Sequence, residues 1–387
     1  MLLENKMVNW HYPTEIYCGI GAAATLSHYC QTLNIKKVLF VTDNNLLKFS
    51  SIEKIYQSIS LLFPTIFADI KPNPTSQNVI EGIEVFKKNN CDGVIAVGGG
   101  SVLDVAKVIA LMAKQTLDLW ALEDVGDNYK NADIHKIVPC IAIPTTAGTG
   151  SEVGRASLII DTAQKRKRFI FHPNIMPNIV ILDAELTVAL PPKLTAATGM
   201  DALAHNLEAL CVDAYHPMAD GIAMEGLRLI KENLAKAVKN GKDLEARQNM
   251  LVAASMGAVA FQKGLGAVHS LSHPIGARYD AHHGLLNAIF MPYVLQFNRN
   301  KIEEKMMRLA AYMGLDHPSF EAVLNWLLDL REEIGIPHTL VDINIKKSDH
   351  DILVDDAFKD PSTSGNPNPL SIEALKNILL AATTGDM

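Results

Sequence analysis

Residues 92–107 read DGVIAVGGGSVLDVAK, and this stretch decides the fold class. Its run VIAV is apolar at every position, which is typical of a strand buried on both faces of a parallel sheet. Three glycines follow, and the spacing of the remaining residues predicts a helix with Ser101 as its N-cap. A glycine turn between a strand and a helix lets backbone N–H groups approach a pyrophosphate. The turn does not match G-x-G-x-x-G, so a turn without a ligand stays open as an alternative.

Short apolar runs alternate with helical patterns through about residue 190. This alternation predicts a Rossmann-like parallel sheet with helices on both faces. Between 155 and 185 the pattern changes to a hairpin with a polar tip and one further strand. From Thr195 onward strand signals nearly vanish and apolar residues recur at helical spacing. We therefore expect an α/β dinucleotide-binding domain over 1–190 and an all-α domain over 191–387, with the cleft between them as the site of chemistry.

Composition and charge restrict the function classes. The chain has 387 residues, 20% of them charged, and a net charge of −7, which gives no general attraction to nucleic acid or anionic membranes. No apolar run approaches the ~20 residues that cross a bilayer. The five cysteines show no CxxC pair, and residues 1–10 contain an early glutamate and no long apolar stretch. We therefore expect a cytoplasmic protein without disulfides or a secretory signal, which binds neither nucleic acid nor membrane.

Three further stretches follow predicted strands and contain candidate nucleotide contacts. Asp43 ends VLFVTD, where a carboxylate can accept hydrogen bonds from ribose hydroxyls; an N-cap on NNLLKFSS is the alternative. The loops KPNPTSQN (71–78) and IPTTAGTGSE (143–152) follow two other strands. Open α/β sheets bind ligands at the carboxyl ends of their strands, so we expect these stretches to lie close to the glycine turn.

The helical half contains candidate metal ligands. In GMDALAHNLEAL (199–210), Asp201 and His205 are four positions apart, which places them one turn apart on one face of a helix. In GLGAVHSLSHPIGARYDAHHG (264–284), His269 and His273 repeat this spacing. Pro274 is expected to stop or bend their helix.

These candidates carry an argument only when they are taken together. A single histidine is more often a hydrogen-bonded core or surface residue, and His282 and His216 fit that description. One carboxylate and three imidazoles, however, satisfy a divalent first-row ion. A ligand set without thiolate suits Fe(II) or Zn(II), and the residue types do not choose between the two metals.

Taken together, these motifs resemble the iron-containing (group III) alcohol dehydrogenase family, and the resemblance covers essentially the whole chain. It implies a dinucleotide-binding domain, a helical domain that holds the metal, and a homodimer or larger oligomer. The motifs, in the order of the family, are GGGSVLDVAK, PNPT, IPTTAGTGSE, LPPKLTAATGMDALAHNLEA, GLGAVHSLSHPIGA, HHG and DPSTSGNPNP.

The resemblance also implies roles for individual residues. His273 would lie beside the nicotinamide and the substrate. His283 is preferred to His282 because it is adjacent to Gly284 and ten residues beyond His273. The implied metal ligands are Asp201, His205, His269 and His283. The implied NAD contacts are Asp43, Asn73, Gly98, Gly99, Gly100, Ser101, Asp104, Thr145, Thr146, Thr149 and Lys167, of which Lys167 lies in a stretch that matches the family less closely.

The function implied is reversible hydride transfer between an alcohol and NAD, with Fe(II) or Zn(II) acting as a Lewis acid on the substrate oxygen. His273 is the candidate for relaying the hydroxyl proton, and packing against the nicotinamide is its alternative role. A carboxylate at Asp43 would repel a 2′-phosphate, which predicts NAD rather than NADP.

Two rival functions stay open at this point. A lyase similar to dehydroquinate synthase would share the architecture, the NAD and the metal, but its anionic substrate needs a cluster of lysines and arginines. The metal helices are instead flanked by small and apolar residues, which favours a small or medium neutral alcohol or aldehyde. Phe261 and Leu265 are candidates for lining its pocket, with core packing as the alternative. The second rival is a nucleotide or metal binder without catalysis.

Overall fold

The computed structural model describes residues 10–164, 166–345 and 349–387. Its first half contains a six-stranded sheet in which every paired strand is parallel to its neighbour. The strands of this sheet are β1 (Glu15–Cys18), β2 (Val38–Val41), β3 (Thr65–Phe67), β4 (Gly93–Gly98), β5 (Cys140–Pro144) and β8 (Ile179–Leu182), in the spatial order β1-β8-β5-β4-β2-β3. A separate antiparallel hairpin consists of β6 (Ala156–Asp161) and β7 (Arg166–Phe171).

Helices cover this sheet. The longer ones are α1 (Leu26–Thr32), α2 (Ser50–Ser58), α3 (Ser76–Lys88) and α4 (Gly100–Met112). Strand β4 is buried at every position, because apolar side chains on both of its faces pack into two separate core clusters. The predicted class, a Rossmann-like parallel sheet followed by a helical region, is confirmed.

The second half of the chain consists mainly of helices. They are α5 (Pro192–Cys211), α6 (Pro217–Lys239), α7 (Leu244–Ala260), α8 (Ala267–Tyr279), α9 (His283–Tyr312), α10 (Phe320–Glu333), α11 (His350–Phe358) and α12 (Ile372–Thr384). Helix α5 is buried along most of its length because α6, α7 and α9 pack around it. A helix in this position buries all of its faces, which explains why its sequence contains apolar residues with little periodicity.

One local prediction was wrong, and one of the two alternatives predicted for Pro274 does not hold. Ser101 is not the N-cap of α4, because the helix begins at Gly100 and the cap position belongs to Gly99. Pro274 does not stop α8, which continues to Tyr279. The buried side chains of Leu271 and Ile275 anchor this helix in the core, and their packing offsets the hydrogen bond that proline removes.

The two halves contact each other through α7. Leu251 and Ala258 of α7 pack against Val180 and Leu182 of β8. The side-chain amide of Gln248 donates to the Leu182 carbonyl at 3.0 Å. Helix α7 therefore packs against β8, and its residues Ala258 and Val259 also line the cavity that contains the candidate site.

The remaining predictions from composition concern cysteines, membrane and secretion. All five cysteines are free, as predicted. Among the described residues no single helix has the length and apolarity to span a membrane, and only the bent pair Leu244–Lys263 and Ala267–Tyr279, at 108°, meets both criteria together. Residues 1–9, on which the prediction about a secretory signal rests, lie outside the described residues.

Candidate active site

Of the three glycines between β4 and α4, one has room for a side chain. A Cβ atom at Gly98 would lie 2.6 Å from Cβ of Val102, and one at Gly100 would lie 2.7 Å from Cγ2 of Thr149. A Cβ at Gly99 would meet nothing closer than the Thr146 side chain at 3.4 Å. Gly98 and Gly100 are therefore explained by close packing within the protein, whereas Gly99 is not.

Several predicted NAD contacts already have protein partners. Oδ1 of Asp43 accepts hydrogen bonds from the backbone N–H groups of Asn45 at 2.8 Å and Leu46 at 3.1 Å, although the N-cap of the short helix that follows is Asn45 and not Asp43, the alternative that the sequence offered. The Ser101 hydroxyl donates to the Pro72 carbonyl. Asp104 accepts from the Ser151 hydroxyl at 2.6 Å and from the Leu158 N–H at 3.1 Å.

The other predicted contacts surround the same edge of the sheet. The Thr145 N–H donates to the Gly98 carbonyl at 3.0 Å, which joins the loop after β5 to the glycine turn. The amide of Asn73 donates to Asp280 at 2.5 Å, which connects the loop before α3 to the end of α8. Lys167 lies near α8, with its Nζ 3.9 Å from a Cβ built at Gly276. Burial lowers the pKa of Lys167, although Asp280 and Asp360 act in the opposite direction.

The candidate metal ligands converge from three helices. One ligand atom from each of Asp201, His205 and His269 lies within 4.8 Å of the others, and all three residues are buried. The Nε2 atom of His283, the first residue of α9, is 3.5 Å from Oδ1 of Asp201. His282 occupies the N-cap of α9 with its side chain exposed, outside this cluster.

Asn287 lies in the middle of the cluster, although the sequence analysis did not identify it. Its Nδ2 atom is 2.8 Å from Oδ1 of Asp201, 3.2 Å from Nε2 of His269 and 3.1 Å from Nε2 of His283. It lies one helical turn after His283, so the i, i+4 spacing used for Asp201 and His205 would have found it.

The protonation states of the cluster suit a cation. Burial raises the pKa of Asp201, but its histidine neighbours and the Asn287 hydrogen bond outweigh that effect and lower the pKa to about 2. Burial lowers the pKa of His269 and His283 well below the usual histidine value. Asp201 is thus a carboxylate of lowered pKa beside two imidazoles of lowered pKa, and no lysine or arginine is paired to it among the described residues. This donor set fits a divalent first-row ion.

His273 lies beside the cluster and has a carboxylate partner. Its Nδ1 atom is 2.8 Å from Oδ2 of Asp360. Its ring stacks on that of His283, with the centroids 5.2 Å apart and the planes 9° apart. Asp360 belongs to the late motif DPSTSGNPNP, and sequence spacing alone gave no reason to pair it with His273.

Glu208 is a second buried carboxylate that the sequence analysis overlooked. It lies three residues after His205 on α5, and its Oε2 atom is 2.5 Å from Nδ1 of His269. Burial raises the pKa of Glu208 to about 7, against the lowering effect of backbone N–H donors at the start of α8.

A cavity of about 360 Å³ extends from the metal ligands between the two halves of the molecule. Phe261 and Leu265 line it, as the sequence suggested, and Arg155 is the only lysine or arginine in its lining among the described residues. The apolar part of the wall includes Val153, Leu158, Phe169, Phe171, Met176, Val259, Phe261 and Leu265.

Comparison with known proteins assigns the family. The family model described as iron-containing alcohol dehydrogenase matches residues 13–184, and the model of the C-terminal part of that family matches residues 195–383. This chain belongs to the iron-containing alcohol dehydrogenase family.

Individual relatives agree with this assignment over their full lengths. A 4-hydroxybutyrate dehydrogenase from Cupriavidus necator is 36% identical over 95% of this chain and 98% of its own length. An NAD-dependent methanol dehydrogenase from Bacillus methanolicus is also 36% identical, over 96% of this chain and 99% of its own. The crystal structure of a 1,3-propanediol oxidoreductase has a TM-score of 0.92 at 33% identity and covers 97% of this chain and 100% of that one.

The prediction of an oxidoreductase of the iron-containing alcohol dehydrogenase family is therefore confirmed. Nothing in the site or in these comparisons favours the lyase similar to dehydroquinate synthase. That reaction needs several lysines or arginines around an anionic substrate. Among the described residues that line this cavity, Arg155 is the only lysine or arginine.

Proposed function

We propose that this protein catalyses the reversible, NAD-dependent oxidation of a small or medium neutral alcohol to an aldehyde or ketone. The observation that carries the proposal is the convergence of Asp201, His205, His269 and His283 at the end of an apolar cavity, beside the imidazole of His273. A divalent ion held by these four residues, Fe(II) or alternatively Zn(II), would polarise the substrate oxygen.

The chain's own residues bind and orient the substrate. The apolar wall that includes Phe169, Phe261 and Leu265 excludes water and favours a carbon chain over a charged one. The cavity of about 360 Å³ is also lined by Asp104 and Thr149, which we propose as NAD contacts, so the part left for the substrate suits a small alcohol.

His273 is the residue that we propose for proton transfer. Because Asp360 binds its Nδ1 atom, its Nε2 atom is left to exchange a proton within the cavity. The carboxylate keeps the ring in one orientation, since a hydrogen bond at one ring nitrogen fixes the tautomer and the direction of the other.

NAD would supply the hydride acceptor at the carboxyl edge of the sheet. We propose that its pyrophosphate binds at Gly99 and the first turn of α4, and that Asp43 contacts its ribose. The remaining contacts proposed for NAD are Asn73, Gly98, Gly100, Ser101, Asp104, Thr145, Thr146, Thr149 and Lys167. The name of the methanol dehydrogenase relative supports NAD as the coenzyme.

We further propose a division of the chain at 190/191 into a coenzyme domain and a metal domain, a homodimer, and a cytoplasmic location. The free cysteines support a reducing compartment.

The proposed activity is tested with a panel of alcohols and aldehydes. Metal-free protein is reconstituted separately with Fe(II) and Zn(II), and NADH absorbance is followed with methanol, 1,3-propanediol, 4-hydroxybutyrate and longer primary alcohols. We expect NADH formation from at least one neutral alcohol with one of the metals. A lack of turnover with the whole panel and both metals would favour a binding protein without catalysis.

A further inference from the structure

We propose that Glu208 is a positioning residue that presets His269 for metal binding, and that Asn366 assists it by holding the start of the same helix. The proposal rests on the metal site described above and extends it to two residues that do not touch the ion.

Both carboxylate oxygens of Glu208 lie within hydrogen-bond distance of the first turn of α8. Oε2 lies 2.5 Å from Nδ1 of His269, and Oε1 accepts the backbone N–H of Val268 at 2.8 Å. One group on α5 therefore fixes both the ring of His269 and the backbone immediately before it. Since α5 also contains Asp201 and His205, the same helix supplies two ligands and orients a third.

The hydrogen bond decides which nitrogen of His269 can bind a metal. A neutral imidazole that binds a metal through Nε2 carries its proton on Nδ1, so Nδ1 is the atom that donates to the Glu208 carboxylate when the ion is bound. Nε2 is then unprotonated, and its lone pair points to the cluster, where it lies 4.0 Å from Oδ1 of Asp201. Partners of this kind at the far nitrogen of a metal-binding histidine fix its tautomer and raise its basicity.

Asn366 completes the support of the same helical turn. The N-cap of α8 is Gly266, which has no side chain to accept the first backbone N–H groups. Oδ1 of Asn366 accepts the Ala267 N–H at 3.2 Å, and Asn366 is itself held by Asn298 through amide hydrogen bonds of 2.8 and 3.0 Å. A Cβ at Gly266 would lie 2.8 Å from this oxygen and 3.1 Å from Oε1 of Glu208. The glycine thus allows both acceptors to reach the start of the helix, and the late motif DPSTSGNPNP contributes to the metal site through Asn366.

Packing alone does not account for a carboxylate here. Glu208 and His269 are both buried, and a buried carboxylate without a countercharge costs more than an apolar side chain of similar size. Its hydrogen bonds go to Nδ1 of His269 and to backbone N–H groups at the start of α8, the helix that presents this ligand. The arrangement is therefore explained by the orientation of His269.

The decisive variant is Glu208→Gln, which changes one oxygen to an NH2 group at constant shape. The Val268 N–H can only donate, so it takes the remaining oxygen and leaves the NH2 group facing Nδ1 of His269. Nδ1 must then accept, the proton moves to Nε2, and the metal-binding lone pair is lost. Glu208→Asp keeps the carboxylate but shortens its reach, so its effect should be intermediate.

The experiment titrates metal-free protein with Co(II) and records the visible ligand-field spectrum. We expect Co(II) to bind Glu208→Gln about 10- to 100-fold more weakly than wild type, the usual effect of losing such a partner. Glu208→Asp should lie between the two. Glu152→Gln is the matched control, because Glu152 is equally buried but bonds to the Ser255 hydroxyl at 2.7 Å, and it should bind Co(II) as wild type does. Histidine-labelled, metal-free protein examined by ¹⁵N NMR should show one ring that changes from the Nδ1–H to the Nε2–H tautomer in Glu208→Gln.

The outcomes separate this inference from the proposed function. If wild type binds Co(II), His205→Ala does not, and Glu208→Gln binds with unchanged affinity and spectrum, the positioning role is wrong while the metal site stands. If wild type fails to bind Co(II), or His205→Ala binds it equally well, the metal site itself is wrong, and this proposal falls with it. Should Glu208→Gln fail to fold, an affinity of Glu208→Asp equal to that of wild type would contradict the inference.

Discussion

The glycine turn after β4 and the ligand cluster in the helical half are the two ends of the site that we propose, but they are built differently. The turn is local in sequence and offers backbone N–H groups at Gly99 and the start of α4. The cluster takes side chains from α5, α8 and α9 and supports them with residues from distant segments. A site built from backbone tolerates many changes of side chain around it, whereas a site built from side chains depends on each one. The two ends should therefore respond to substitution independently and with different severity.

The largest effect is expected when a ligand is removed from the cluster. His205→Ala should lose bound metal and lower turnover by about 1,000-fold or more, because a Lewis acid contributes several kcal/mol of transition-state stabilisation. NADH affinity should stay near that of wild type, since the turn after β4 is unaffected. Metal analysis, steady-state kinetics and NADH fluorescence titration measure the three quantities. Full activity after exhaustive chelation would contradict this account of the cluster.

A smaller effect is expected for the imidazole beside the cluster. His273→Gln should lower turnover by about 100-fold, the loss of a general acid or base, while the metal content stays unchanged. The comparison with His205→Ala separates a proton-transfer residue from a ligand. If His273→Gln loses its metal in the same analysis, then His273 belongs to the cluster itself.

Coenzyme choice should respond at the opposite end of the cleft. Asp43→Asn keeps an oxygen for the N–H groups of Asn45 and Leu46 but removes the negative charge. We expect its preference for NAD over NADP to fall by about 10-fold, since the repulsion of a 2′-phosphate is lost. The ratio of kcat/KM for the two coenzymes measures this, with Asp43→Ala as the variant that also loses the loop contacts. An unchanged ratio in Asp43→Asn would mean that the carboxylate acts only in the loop.

The smallest effect distinguishes two neighbouring glycines of the turn. Gly99→Ala should weaken NADH binding about 10-fold with little change in thermal stability, because its Cβ would occupy space that the protein leaves open. Gly98→Ala should instead lower the free energy of unfolding by about 1–3 kcal/mol, because its Cβ would overlap Val102. NADH titration and thermal unfolding of both variants test this. Equal behaviour of the two variants would remove the argument for a ligand at Gly99.

The same contrast explains how much the sequence predicted. Strand β4 and its turn follow from a continuous stretch, and Asp201 and His205 follow from one helical spacing, because both patterns are local. Glu208 shares a helix with these ligands, but its partner His269 lies on α8, and no spacing reveals what faces it. Asp360 and Asn366 are likewise far in sequence from the residues that they hold.

The local errors have a physical origin as well. Ser101 is not the N-cap because Gly99 has an extended backbone and occupies the N-cap position, so the helix begins earlier than predicted, at Gly100. Pro274 does not end α8 because tertiary packing stabilises the helix beyond it. In both cases a residue preference was overridden by its surroundings, as is usual for helix termini.

The central claim is that one divalent ion binds where α5, α8 and α9 meet, and anomalous diffraction tests it most directly. Crystals of protein loaded anaerobically with Fe(II) would be measured on both sides of the iron absorption edge. We predict one strong anomalous peak per chain, about 2.0–2.3 Å from ligand atoms of Asp201, His205, His269 and His283. A peak elsewhere in the chain, or no peak in crystals of enzyme that turns over alcohol, would contradict the account.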